Sequence, residues 1–71
     1  MNILYNTIFV NGEAFNCSCT MSLHDLLIYL GFPIGSIVVE YNKEIINSSQ
    51  FSNIVLGDRD KLEIITIVGG G

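Results

Sequence analysis

"TMSLHDLLIYLGF", residues 20–32, is the stretch that decides how the rest of this chain is read. Leu23, Leu26, Leu27 and Leu30 fall at i, i+3, i+4 and i+7, one apolar stripe along a helix. Ser22 stands where an N-cap belongs, and Asp25 follows it at near capping-box spacing. Gly31 suits the first position past the helix, and Pro33 blocks any continuation. The spacing predicts a helix over Leu23 to Leu30, about two to three turns long. Its leucine stripe needs a sheet to lie on.

The sequence before the helix supplies a hairpin. Asn2 to Val10 is rich in β-branched and aromatic residues, and Asn11-Gly12 follows. Asn-Gly between two apolar runs marks a type I′ turn, because both central residues need positive φ. The partner strand is expected from Glu13 to Cys17, with Cys19 as its furthest limit. Beyond the helix, Ile37 to Tyr41 reads as a strand with Ile37, Val39 and Tyr41 on one side. "NKE" then turns into a short strand at Ile45-Ile46. "NSSQFSNIVLGDRD" is polar and turn-rich, with Phe51 and either Ile54 or Val55 as anchors. Gly57 and Asp58 lead into a last strand, Lys61 to Val68.

The order is β-β-α-β-β-β. A hairpin, a right-handed crossover helix and returning strands give a mixed sheet with the helix on one face. The last strand then fits beside the first in mid-sheet. This is a β-grasp fold, α+β in class, the ubiquitin-like arrangement. A ferredoxin-like alternative needs a second helix, for which Ser48 to Leu56 is a weak candidate. Residues 1–68 form the domain and residues 69–71 a flexible glycine tail.

Composition bounds the function. At 71 residues the chain holds one domain with a thin core. Apolar residues make up 49% and charged residues 14%, the opposite of a disordered chain. Seven carboxylates oppose three cations, Lys43, Arg59 and Lys61, for a net charge of −4. Such a surface repels phosphate backbones, so nucleic acid is not an expected partner, whereas a basic protein face is. No run approaches the ~20 apolar residues that span a bilayer, and the N-terminal segment lacks the features of a signal peptide. The expectation is a soluble intracellular protein with no membrane partner. High Ile and Asn with almost no Ala suggests an AT-rich bacterial or organellar genome.

Several side chains with chemical potential are assigned ordinary roles. Cys17 and Cys19 lie two residues apart, on one face if both are in a strand, where a disulfide would be strained. They read as reduced packing residues. His24 beside Asp25 reads as helix surface, since adjacent helical residues do not face each other. Tyr5, Tyr29 and Tyr41 read as packing residues, and "GDRDK", with Asp58 and Asp60 around Arg59, as a solvated turn. Two carboxylates are too few for a calcium loop, so no metal site is expected. No internal glycine-rich phosphate loop precedes a helix, so the chain binds no cofactor itself. No catalytic set of acid, base and nucleophile is expected either, which argues against an enzyme.

The last eight residues, "IITIVGGG", are different. Leu62, Ile64, Thr66 and Val68 share one side of the strand; Glu63, Ile65 and Ile67 share the other. If the first set faces the helix, Ile65 and Ile67 sit on the open face of the sheet and form a docking patch. Gly69, Gly70 and Gly71 lack Cβ atoms and can enter a slot too narrow for other residues. The working group is then the α-carboxylate of Gly71. A carboxylate is a poor electrophile until activated, typically as an adenylate, which a sulfur nucleophile can then attack. The tail provides reach into another protein's active site and the folded body provides recognition.

"VNGEAF", "SLHDLL", "VVEYNKEII" and "LGDRDKLEIITIVGGG" together resemble the ThiS family of thiamine-biosynthesis sulfur carriers. The resemblance implies that Gly71 is adenylated by an ATP-dependent ThiF-like enzyme and becomes a thiocarboxylate. Gly70 corresponds to the penultimate glycine of the family's tail, and Gly69 to an optional third. The implied partners are that activating enzyme, a ThiG-like thiazole synthase and a sulfur donor such as a cysteine desulfurase system. A bacterial cytoplasm or a plastid stroma fits. The molybdopterin-synthase small subunit, similar in fold and tail, is the nearest alternative. A plain β-grasp interaction module is the other.

Overall fold

Asn11 and Gly12 take φ of 49° and 86°, the left-handed pair that a type I′ turn demands, and the chain doubles back through them. The hairpin so formed pairs β1 (Tyr5–Val10) with β2 (Glu13–Ser18) across six residue pairs. The computed structural model describes residues 4–67. Val68, Gly69, Gly70 and Gly71, which carry the end of the expected last strand and the whole glycine tail, lie outside the described residues.

Helix α1 spans Leu23–Tyr29. The Ser22 hydroxyl accepts the Asp25 amide at 3.0 Å, so the expected cap is present. Leu30 closes the helix, and Gly31 follows with φ 81°. Strand β3 (Ile37–Tyr41) turns through Asn42 and Lys43, both at positive φ, into β4 (Glu44–Ile46). The last strand, β5 (Lys61–Thr66), runs parallel to β1 on one side and antiparallel to β3 on the other. The sheet order is β2-β1-β5-β3-β4, a mixed five-stranded sheet with one main helix across it. The β-grasp expectation holds, with the last strand beside the first.

Leu23, Leu26 and Leu27 are fully buried against Ile8, Val10, Val39, Leu62 and Ile64. Each such side chain contributes about 1.5–3 kcal/mol by leaving water. Phe51 and Leu56 close one side of this core. Ser48–Asn53 forms a short 3-10 turn, so the second helix of a ferredoxin-like fold is absent among the described residues. That turn carries a true capping box, with the Asn47 and Gln50 side chains bonding each other's backbone.

Several expectations are corrected. Tyr5 and Tyr29 are 60% and 78% exposed, so they do not pack; β1 begins at Tyr5, near the sheet edge, and Tyr29 lies off the leucine stripe. Tyr41, by contrast, packs half-buried against the core as expected, and its hydroxyl is also hydrogen-bonded. Of the two anchors considered, Ile54 is half-buried while Val55 is 60% exposed, and Leu56 is the buried residue. His24 is half-buried rather than fully solvated, and Leu30 at the end of the stripe is only half-buried. Cys17 is buried on β2, whereas Cys19 lies past the strand end and is half-buried; both are free thiols. Burial pushes the Cys17 thiol above its ordinary value, which leaves it inert.

The "GDRDK" segment is more than a solvated turn. The Asp60 carboxylate accepts the Tyr41 hydroxyl at 2.5 Å, the Gly57 amide at 2.7 Å and the Asn42 side-chain amide at 3.0 Å. Asp58 accepts the Thr7 amide at 2.8 Å. These bonds tie the loop before β5 to β1 and to the β3–β4 turn, and so set where β5 begins.

Candidate functional site

Strand β5 delivers the chain to the expected site, and three features hold it. On one side, β3 pairs with it from Tyr41↔Leu62 to Ile37↔Thr66. Past its end, the Ile67 amide donates to the Ser36 carbonyl at 2.6 Å. On the other side, β1 pairs with it only at Phe9↔Lys61 and Val10↔Leu62 before turning away. The Asn11 side chain then takes over. Its Oδ1 accepts the Ile64 amide at 2.7 Å, and its Nδ2 donates to the Ile64 carbonyl at 3.2 Å. A side-chain amide thus substitutes for the missing strand at the residue just before Ile65.

Leu62 and Ile64 face the helix and are buried, while Ile65 is 62% and Ile67 50% exposed. The expected face assignment is therefore the observed one. Alternation places Val38, Glu40 and the exposed Ile45 on the same open face, because Val38 opposes Ile65 and Glu40 opposes Ile45. Glu40 also stands directly opposite Glu63. The open face is thus apolar with a pair of carboxylates at its middle. That pairing depends on register between β3 and β5, and no local motif in the sequence announces it.

Gly69, Gly70 and Gly71, the residues expected to carry the chemistry, lie outside the described residues. The described part supplies an anchored last strand and a solvent-facing sheet surface beside it. Among the described residues no group of three His, Cys, Asp or Glu side chains is placed to hold a metal ion. Among the described residues no helix is long and apolar enough to cross a membrane.

The profile of the ThiS family matches residues 8–71, from the first core residue of β1 through the last glycine. The chain belongs to the ThiS family. Sequence relatives agree with this. The sulfur carrier protein ThiS of Bacillus subtilis is 40% identical over 52 residues, covering 73% of this chain and 79% of that one. The uncharacterized protein ycf40 of Trieres chinensis is 45% identical over 65 residues, 92% of this chain and 89% of its own. A thiazole synthase of Paramagnetospirillum magneticum is 39% identical over 64 residues; these are 90% of this chain but 20% of the synthase. The crystal structure of the thiamine biosynthesis protein ThiS from Geobacter metallireducens superposes with a TM-score of 0.77 at 25% identity, covering 92% of this chain and 99% of that one. ThiS proteins are small sulfur carriers of thiamine biosynthesis, which decides between the two carrier pathways considered from the sequence. The ThiS fold accounts for the β1–β5 pairing and for the position of β5 at the centre of the sheet.

Proposed function

We propose that this chain carries sulfur for thiazole formation as a thiocarboxylate on Gly71. An ATP-dependent ThiF-like enzyme joins the Gly71 carboxylate to the α-phosphorus of ATP and releases pyrophosphate. A persulfide from a donor such as a cysteine desulfurase system then attacks the acyl carbon and AMP leaves; a second thiol attacks the donor sulfur of the resulting acyl disulfide, forming a disulfide with it and releasing the thiocarboxylate. The terminal thiocarboxylate passes its sulfur to a ThiG-like thiazole synthase. Gly70 and Gly69 give the terminus its access to both active sites. The chain itself binds no cofactor; ATP is a substrate of the activating enzyme.

The observation that carries this reading is the ThiS family match, which reaches Gly71. The thiazole synthase relatives support the choice of acceptor, since one of them contains a ThiS-like segment within its own chain. The free thiols of Cys17 and Cys19 suit a reducing compartment, a bacterial cytoplasm or a plastid stroma. Intact-protein mass spectrometry after incubation with the activating enzyme, ATP and a sulfur donor tests the proposal. The expected product has one oxygen exchanged for sulfur, and deletion of Gly71 abolishes it while the fold persists. A chain that stays unmodified under those conditions, or is modified equally without Gly71, refutes it.

A further inference from the structure

Of the seven asparagines in the chain, Asn11 alone is followed by glycine. Asn-Gly is the pairing most open to cyclisation, because glycine has no Cβ to keep its amide nitrogen from the asparagine Cγ. Attack of that nitrogen on Cγ closes a succinimide ring. Both residues are exposed at the tip of the β1–β2 hairpin, and open space lies where a Cβ on Gly12 would stand. Water and hydroxide therefore reach the bond. The Asn11 side chain, however, is not free to turn toward Gly12. Its Oδ1 accepts the Ile64 amide at 2.7 Å, and its Nδ2 donates to the Ile64 carbonyl at 3.2 Å. Both ends of the reactive amide are thus fastened to β5.

We propose that Asn11 is a deamidation site guarded by its own clasp on Ile64, and that its conversion loosens β5. Hydroxide removes the Gly12 amide proton, and the nitrogen electron pair forms the bond to Cγ. The Cγ–Nδ2 bond breaks, and Nδ2 takes a proton from water and leaves as ammonia. Water then opens the succinimide at one carbonyl or the other, giving aspartate or isoaspartate. Aspartate keeps an oxygen for the Ile64 amide but sets a second oxygen against the Ile64 carbonyl, where Nδ2 had donated. One hydrogen bond is lost and two acceptors face each other. Isoaspartate carries the main chain through Cγ, which adds a backbone atom to a turn whose two residues hold φ of 49° and 86°. Either product weakens the hold on β5 along its β1 side, where among the described residues no strand pairs with it past Leu62. The inference is independent of the carrier reading, and its test needs no activating enzyme.

The full chain is held at mildly alkaline pH, folded in one arm and unfolded in urea in the other. Peptide mapping and isoaspartate methyltransferase labelling follow each asparagine with time. In the unfolded arm, modification should concentrate at Asn11, ahead of Asn47, which precedes Ser48. Folding should slow it at least about tenfold, the weight of two hydrogen bonds. The slowing should be no smaller than the hydrogen-exchange protection of the Ile64 amide, since both events require Oδ1 to let go. The two should fall together as sub-denaturing urea is added. The deamidated chain, and Asn11→Asp made directly, should exchange the Ile64 amide faster than the wild type while the core amides of β3 stay protected. A folded chain that reacts as fast as the unfolded one overturns the proposal. So does a slowing smaller than the Ile64 protection, or one that holds steady while that protection falls. Preferential reaction at another asparagine in urea, or wild-type protection of Ile64 in the deamidated chain, also overturns it.

Discussion

Replacing Asn11 tests how β5 is held at the edge of the docking face. The Asn11 side chain makes two hydrogen bonds to the Ile64 backbone, in place of a strand that has turned away. Each contributes about 0.5–1.5 kcal/mol net, so Asn11→Gly should cost about 2 kcal/mol. Glycine accepts the φ of 49° without strain, although it adds a few tenths of a kcal/mol of unfolded-state entropy. Asn11→Ala loses the same bonds and must also hold a left-handed conformation, a further ~1–2 kcal/mol. The expected losses are therefore about 2 kcal/mol for glycine and 3–4 kcal/mol for alanine, from a domain total of roughly 4–10 kcal/mol. In a domain of this size 2 kcal/mol lowers the melting temperature by about 8–16 °C. Urea unfolding monitored by circular dichroism measures both variants, and amide hydrogen exchange at Ile64 localises the effect. Should Asn11→Gly match the wild type within ~0.5 kcal/mol, with Ile64 still protected, the clasp carries no weight and the reasoning is wrong.

Two further outcomes follow from the same structure. The Tyr41–Asp60 bond should shape stability at both ends of the pH scale. Burial raises the Asp60 pKa, but hydrogen bonds from Tyr41, Asn42 and Gly57 outweigh it and hold it below 3.8, so its contribution is complete above that value and lost as pH falls through the lower folded value. Burial, helped by Asp60, pushes Tyr41 up to about 12 from 10.0, so its contribution is complete below pH 10 and lost as pH rises toward 12. Tyr41→Phe should cost about 1 kcal/mol at neutral pH, a charge-assisted bond discounted for its exposure, and the difference from wild type should shrink in alkali. A pH-independent difference in urea midpoints would show that the hydroxyl pairs with nothing titratable. On the docking face, Ile65→Asp or Ile67→Asp should weaken binding to the activating enzyme at least tenfold while costing under ~1 kcal/mol of stability. Collapse of the fold in either variant would mean that the residue belongs to the core.

The contrast between Ile65 and Glu63 marks the boundary between what sequence and tertiary structure each decide. Local periodicity placed the leucine stripe of α1, the Asn11-Gly12 turn and the two faces of β5, because each is a property of neighbouring residues and their backbone geometry. It therefore foretold that Leu62 and Ile64 are buried and that Ile65 is not. It misjudged Tyr5 and Tyr29 and left Ile54 and Val55 undecided, because apolar character says nothing about how close a residue lies to an edge or to the end of a stripe. The opposition of Glu40 to Glu63, the grip of Asn11 on Ile64 and the seat of Asp60 against Tyr41 join residues 23, 53 and 19 positions apart. Such contacts exist only once β1, β3 and β5 have settled into one register. Register is fixed by the whole buried face at once, and no short stretch of chain contains it.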